Sequence, residues 1–245
     1  MTSYVPLSLT DLTIAAALVF LNGAISFAYR LKLEKSLLVA SIRMVVQLGA
    51  VALVLRFIFE QVSPLWTICF AAVMAVGAIA EIIMRQRHRL KAWLPLLLSS
   101  SPAFLAGLAT TLIALAVIQP APWYAPRFLL PILGMLVGNT LSGVTLVLDT
   151  LTTAADRERG TIEAQLALGA TRMEAFQDIL RSAMRTGLTP ILNAMAAAGI
   201  VSLPGMMTGQ ILAGIDPVEA AKYQILIMFL IAGATAIAVL VSGLV

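Results

Sequence analysis

Residues 94–118 read LPLLLSSSPAFLAGLATTLIALAVI, twenty-five positions without a single Asp, Glu, Lys or Arg. As one helix this run would rise about 37 Å, enough to cross the roughly 30 Å hydrocarbon core of a bilayer. A helix of that length on the surface of a soluble domain needs a charged face toward water, and this one has none. Six further apolar runs lie at 9–29, 37–59, 65–84, 128–151, 187–214 and 223–243, which predicts an all-α membrane protein of about seven transmembrane helices.

The whole composition agrees. The 245 residues are 60% hydrophobic and 11% charged, with a mean hydropathy of +0.99, whereas soluble domains carry roughly 25% charged residues. Soluble enzymes, disordered regulators and free nucleic-acid binders are excluded. Positions 1–245 are read as a single transmembrane domain, with no room for a large soluble one. The net charge of +4 is not a nucleic-acid signal, because the basic residues are spread over short loops. The single cysteine, Cys69, lies inside an apolar run and reads as a small hydrophobe.

The loops alternate in charge. Segments 30–36, 85–92 and 152–186 carry twelve of the sixteen Lys and Arg residues, while 60–64, 119–127 and 215–222 carry almost none. The positive-inside rule places the basic loops in the cytoplasm, the N-terminus outside and the C-terminus inside. The expected location is the plasma membrane, in a bacterium the inner one. The first run is expected to stay as a span: Asp11 stands at its start and Arg30, Lys32 and Lys35 follow it, the reverse of a signal peptide's charge order. Ser8 and Asp11 have the spacing of a helix capping box. His88, among Arg85, Arg87 and Arg89, reads as a headgroup-facing residue, and Glu81 as a partner of Arg85.

Polar residues inside spans are costly and therefore draw attention. In the second run Ser36, Ala40, Arg43, Gln47 and Ala50 recur at helical spacing and form one small-or-polar stripe that should meet protein or water. Arg43 could pair with Asp149 or Glu81, or meet an anionic substrate. In the fifth run Gly134 and Gly138 are spaced for close helix approach, with Asn139 able to bond across the contact. The sixth run would measure about 42 Å as one helix, so it must tilt or break. Pro204, Gly205, Met206 and Met207 mark the expected break, and broken spans often form transporter binding sites. Arg43, Gln47, Asn139, Asp149, Pro204, Gly205, Met206 and Met207 are thus the candidates for a translocation path.

Residues 153–186 form the only sizeable polar segment, and most of it reads TAADRERGTIEAQLALGATRMEAFQDILRSAMR. Ile162, Leu166 and Leu168 are expected on one apolar edge of a short helix that Gly169 stops. Thr171 and Glu174 make a capping box for a return helix whose Met173, Phe176, Ile179, Leu180 and Met184 share an apolar face. A hairpin of this kind between the fifth and sixth spans is a docking element, or else a helix pair lying at the membrane surface.

Glu163-Ala164, Gly169 and Ile179 stand at the spacing of the EAA motif of ABC-transporter permeases, with Gln165 and Ser182 departing from its usual alanine and proline. The run LALGAT at 166–171, followed by GIVSLPGMMTGQILAGIDP at 199–217 and Tyr223-Gln224, is similar to the FetB-type permeases of bacterial iron export. Arg43, Gln47 and residues 134–139 also fit that family. The resemblance implies a permease homodimer working with two copies of a separate ABC ATPase in a two-plus-two complex, with iron or another metal as exported cargo. It implies that Glu158, Glu163, Leu166, Gly169 and Thr171, within the segment 156–172, contact the ATPase as a coupling helix.

The chain itself is then no enzyme. It has no catalytic residues and no cofactor of its own, and ATP and Mg²⁺ would sit in the partner. The sequence agrees in having no G-x-x-x-x-G-K-[ST] phosphate loop and no H-E-x-x-H. Plant relatives resemble sugar-nucleotide exporters, which makes an organic anion the alternative cargo. Asp149, Glu81, Asn139 and the Met206-Met207 pair do not make a convincing metal site. Two rival readings are a secondary transporter with its site at the broken sixth span, and a membrane scaffold that senses an ATPase. Against the first, the chain has no internal repeat and no central acid suited to proton coupling.

Overall fold

The computed structural model describes residues 8–85 and 93–244. Among them all regular structure is helical: α1 (Leu9–Ala28), α2 (Glu34–Gln61), α3 (Pro64–Arg85), α4 (Trp93–Ile118), α5 (Pro126–Arg157), α6 (Arg159–Ala167), α7 (Arg172–Ala197), α8 (Gly205–Leu212) and α9 (Pro217–Leu244). Six of these, α1 to α5 and α9, are long and apolar enough to cross a membrane. The expected basic loop with His88, Arg87 and Arg89 lies outside the described residues, as does the side chain of Arg85.

The chain divides into two compact units, Met1–Gln61 and Val62–Val245. The first contains α1 and α2, packed on each other. Ser8 caps α1, and the Asp11 carboxylate accepts the Ser8 backbone N–H in return, completing the expected capping box. Ser26 ties the turn between the helices. Its hydroxyl donates to Glu34 Oε1 at 2.9 Å and accepts the Leu33 N–H at 3.1 Å. Ser26 is buried, and along α2 the buried residue is Ile58. Arg43 and Gln47, with the rest of their stripe, are exposed.

In the second unit α4, α5 and α9 pack on one another. Helix α3 joins α4 and α5, α7 joins α5 and α9, and α8 lies on α9. Lipid tails are as apolar as leucine, so helices in a bilayer associate mainly through close van der Waals contact, which small residues allow. The core is built that way. Ala103, Ala106, Val144, Val147, Ala183, Ala238 and Val239 make one buried cluster. Ala114, Ile132, Leu136, Ile191, Ile227, Ile231 and Ala234 make another, fringed by Met135, Met195, Met206 and Met228.

Helices α5 and α7 approach backbone to backbone. A Cβ on Gly143 would lie 3.0 Å from the Gly187 carbonyl oxygen, and one on Gly187 would lie 2.9 Å from that of Gly143. Thr235 and Val239 of α9 close the same point. The expected contact at Gly134 and Gly138 is not the one formed. Gly138 is exposed with open space beside it, and Gly134 meets the end of Met74 alone.

The sixth apolar run breaks as expected at Pro204, with the non-helical stretch lying before that residue rather than after it. Helix α7 continues from the hairpin through the first part of the run to Ala197, about 39 Å in one piece. The chain then leaves helical geometry over 198–204. Gly199 at φ +85° reverses it, and the Ser202 N–H returns to the Ala197 carbonyl. Pro204 precedes α8 in an extended conformation, while Gly205, Met206 and Met207 are the first turn of that helix. Proline lacks an N–H and fits a helix start, so it begins α8 rather than kinking α7. Helix α7 carries Arg172, Glu174, Asp178, Arg181 and Arg185 within its first fourteen residues, which is why it falls outside the six apolar helices.

Candidate functional site

Helix α5 runs for 32 residues, about 48 Å, well beyond a hydrocarbon core of roughly 30 Å. Its end therefore projects with the hairpin. Glu158 is both the last cap of α5 and the residue before α6, and its Oε1 lies 2.7 Å from Arg157 Nη2. On α6 the Glu163 carboxylate accepts from Arg159 Nε at 2.8 Å, one turn earlier. That hydrogen bond, with the adjacent negative charge, raises the Arg159 pKa. Both side chains are exposed, so the pair organises the helix surface more than it stabilises the fold.

The turn after α6 uses glycine for a specific reason. Gly169 stands at φ +93°, a conformation that side chains with a Cβ disfavour. There its N–H reaches the Leu166 carbonyl and the Ala170 N–H reaches that of Gln165, the paired bonds that satisfy a helix C-terminus. Thr171 then caps α7, accepting the Glu174 N–H, while the Glu174 carboxylate accepts the Thr171 N–H at 2.7 Å. These bonds lower the Glu174 pKa, the backbone one most. The expected glycine stop and capping box are both present.

The apolar edge divides. Ile162 is buried with Ala175 and Ile179, against Leu151, Ala154 and Phe176. Leu166 and Leu168 are not on that edge: Leu168 is 89% exposed at the turn, and Leu166 is exposed as well. On α7 Ile179 is buried and Phe176, Leu180 and Met184 are half-buried, but Met173 is exposed. One turn of α6 lies between Ile162 and Leu166, yet the return helix can cover only the side facing it. The result is a hairpin anchored at its base by Ile162 with an apolar tip of Leu166, Leu168 and Met173.

The structure brings Glu158, Glu163, Leu166, Gly169 and Thr171 into this one segment. Each path candidate is placed within its own unit. Arg43 and Gln47 belong to the α1–α2 unit. Asn139 is exposed on α5 and donates to the Met135 carbonyl of its own helix at 2.8 Å, so it does not bond across to another helix. Met206 packs into the Met135 cluster. Asp149, half-buried near the hairpin, has an Oδ1 buried without a hydrogen-bond partner. Among the described residues no group of three or more His, Cys, Asp or Glu side chains could hold a metal ion.

Asp149 opens onto a cavity of about 400 Å³ where α5, its junction with α6, and α7 converge. Thr153, Arg157, Glu158, Asp178 and Ser182 share its lining. Thr153, Arg157 and Asp178 were not singled out in the sequence. Asp149 and Asp178 stand 29 positions apart, and only the packing of α7 on α5 makes them neighbours.

Residues 9–245 match the family described as Uncharacterised protein family (UPF0014). The chain is 40% identical to the UPF0014 membrane protein slr1647 of Synechocystis, over 82% of this chain and 77% of that one. It is 33% identical to the UPF0014 membrane protein STAR2 of Oryza sativa subsp. japonica, over 93% and 78%. To the probable iron export permease protein FetB of Escherichia coli it is 32% identical, over 95% and 88%. No solved structure matches. The chain belongs to the UPF0014 family and is a multi-pass membrane protein.

Proposed function

We propose that this chain is the permease subunit of an ATP-driven exporter, acting as a homodimer with two copies of a separate ABC ATPase that dock on the 156–172 segment. In this reading the hairpin and the C-terminus are cytoplasmic and the N-terminus is outside, following the basic loops. The membrane would be the plasma membrane, the inner one in a bacterium. ATP and Mg²⁺ belong to the partner. The observation that carries the reading is the hairpin tip: Leu168 stands 89% exposed beside Leu166 and Met173, while Ile162 fixes the base. A rigidly held apolar knob beside charged Glu163 and Arg159 suits insertion into a cleft of another protein.

The geometry also supplies a way to transmit motion. A push on α6 acts through Ile162 on Ala175 and Ile179 of α7 and on Leu151 and Ala154 of α5. These two long helices touch most closely at Gly143 and Gly187, so displacement of their hairpin ends levers their far ends about that crossing. The 198–204 break and α8 lie beyond the far end of α7, where such a movement would be largest. The name of the Escherichia coli relative favours iron or another metal as cargo. Such a metal would travel chelated or transiently bound at least as readily as bare, and an organic anion is the alternative cargo.

The neighbouring gene is expected to encode a small ATPase, and the test is co-expression of the two. The two proteins should copurify, and Glu163→Lys or Gly169→Trp should abolish copurification while leaving the permease monodisperse. Unchanged ATPase retention in both variants would sink the docking role. Vesicles holding both subunits should lose transport when ATP is withheld. Transport driven by an ion gradient alone would instead favour a secondary transporter with its site at the 198–204 break.

A further inference from the structure

The cavity at the base of the hairpin carries more negative charge than positive, with the hydroxyls of Thr150, Thr153 and Ser182 as its neutral polar groups. Asp149, Glu158 and Asp178 line it against one guanidinium, that of Arg157, and Arg157 is already held by Glu158 at 2.7 Å. Asp178 meets Arg181 at 3.4 Å with its side chain 96% exposed, a loose pair. Asp149 is left with a buried, unpartnered Oδ1 at the wall. An ionised carboxylate only accepts hydrogen bonds, and burying one without a donor is costly. The carbonyl end of α5, two turns on, adds negative potential. A group that donates several hydrogen bonds and carries positive charge relieves all of this.

Ala154 and Ile179 provide an apolar strip on the same wall, suited to the methylene stem of a long basic side chain whose head is polar. Glu158, which joins α5 to α6, forms part of the rim, so the opening is continuous with the hairpin. From this we infer that the cavity is a socket for a lysine or arginine side chain of the docking ATPase, a second contact behind the apolar tip. The inference rests on the proposal that an ATPase docks on this hairpin. The socket would join the ATPase directly to α5 and α7, where the tip alone reaches them through α6.

The experiment uses the purified permease–ATPase complex and the permease alone, with Cys69→Ala removing the only cysteine. Thr153→Cys reports on the cavity and Leu168→Cys on the tip, read as maleimide labelling rates. Assembly should slow both by about tenfold or more, and Asp149→Asn should weaken ATPase retention about tenfold, with Asp149→Glu restoring most of it. Leu168→Cys protected while Thr153→Cys labels at its free rate would overturn the socket and leave tip docking standing. So would full retention of the ATPase by a monodisperse Asp149→Asn permease. If ethylguanidinium alone protected Thr153→Cys and the ATPase did not, the cavity would be a small-cation site and the socket would fall. Failure of the unsubstituted chain to bind any ATPase would remove the docking proposal itself, and the socket with it.

Discussion

The α1–α2 unit and the α3–α9 unit are made of similar residues and held by different means. In α1 and α2 the described hydrogen bonds that fix the shape are local: the Ser8–Asp11 box at one end and Ser26 at the turn. Nearly every side chain there is exposed, apolar and polar alike. In the second unit small residues bring backbones together, and Thr140 on α5 lies 2.9 Å from the Ala103 carbonyl of α4. Hydropathy does not separate the two, since α2 is as apolar as α3. Internal packing does. Small residues occur in both units, but only in the second do they face a neighbouring helix closely; in α1 and α2 most are exposed and left for lipid or another protein to cover.

The sharpest way to break this comparison is to add bulk at one glycine in each unit. Gly143→Leu drives a side chain against the Gly187 carbonyl and Thr235. It should cost about 3 kcal/mol or more, or prevent folding, since overpacking a tight core typically costs 1–3 kcal/mol. Gly49→Leu on α2 enters open space and should change stability by less than about 0.5 kcal/mol. Thermal unfolding of detergent-solubilised protein, read by size-exclusion chromatography, measures both. Equal losses would refute the distinction.

A smaller effect is expected at Thr140→Val, which keeps the shape and removes the hydroxyl bonded between helices. It should lower stability by about 1 kcal/mol. Gln47→Leu on the exposed stripe of α2 should leave the unfolding temperature of the monomer unchanged. Loss of a dimer band in that variant would show that the stripe meets a second copy.

Capping sharpens the comparison further, because both units use the same device. Removing a cap costs about 1 kcal/mol. At Thr171→Ala that loss should stay in the first turn of α7, because Ala175 and Ile179 are clamped against α6. At Ser8→Ala fraying should spread further, since α1 has little packing to stop it. Amide hydrogen exchange distinguishes a one-turn from a multi-turn effect.

The smallest effect is acid fraying of α7. The Glu174 pKa is lowered by the Thr171 backbone and hydroxyl. Its contribution is complete above the ordinary glutamate value of about 4.3 and is lost as pH falls through the lower folded value. Exchange at residues 172–175 should accelerate below that range, and Glu174→Gln should flatten the dependence.

Much of the hairpin was legible because its signals are local. Gly169, Thr171 and Glu174 act on neighbours within four residues, and the structure places them as their spacing implies. The failures were of another kind. Gly134 and Gly138 carry the helix-approach spacing, but that spacing says only that a helix could come close, not which face it takes. Leu166 and Leu168 share hydropathy with Ile162, yet α7 covers Ile162 alone. The path residues could be named one at a time and not assembled, because nothing in their spacing relates one helix to another.

The bare sequence determined that this chain lives in a membrane, since twenty-five residues in a row without a charge, most of them apolar, have no stable place in water. It also determined where most helices begin and end, since caps, glycine stops and prolines act through backbone geometry within a turn. Tertiary structure alone decided that α5 and α7 cross at Gly143 and Gly187. It also decided that Asp149 and Asp178 face one cavity. Those outcomes depend on which surfaces fit closely enough to exclude lipid. Fit of that kind is a property of pairs of helices, written in neither one alone.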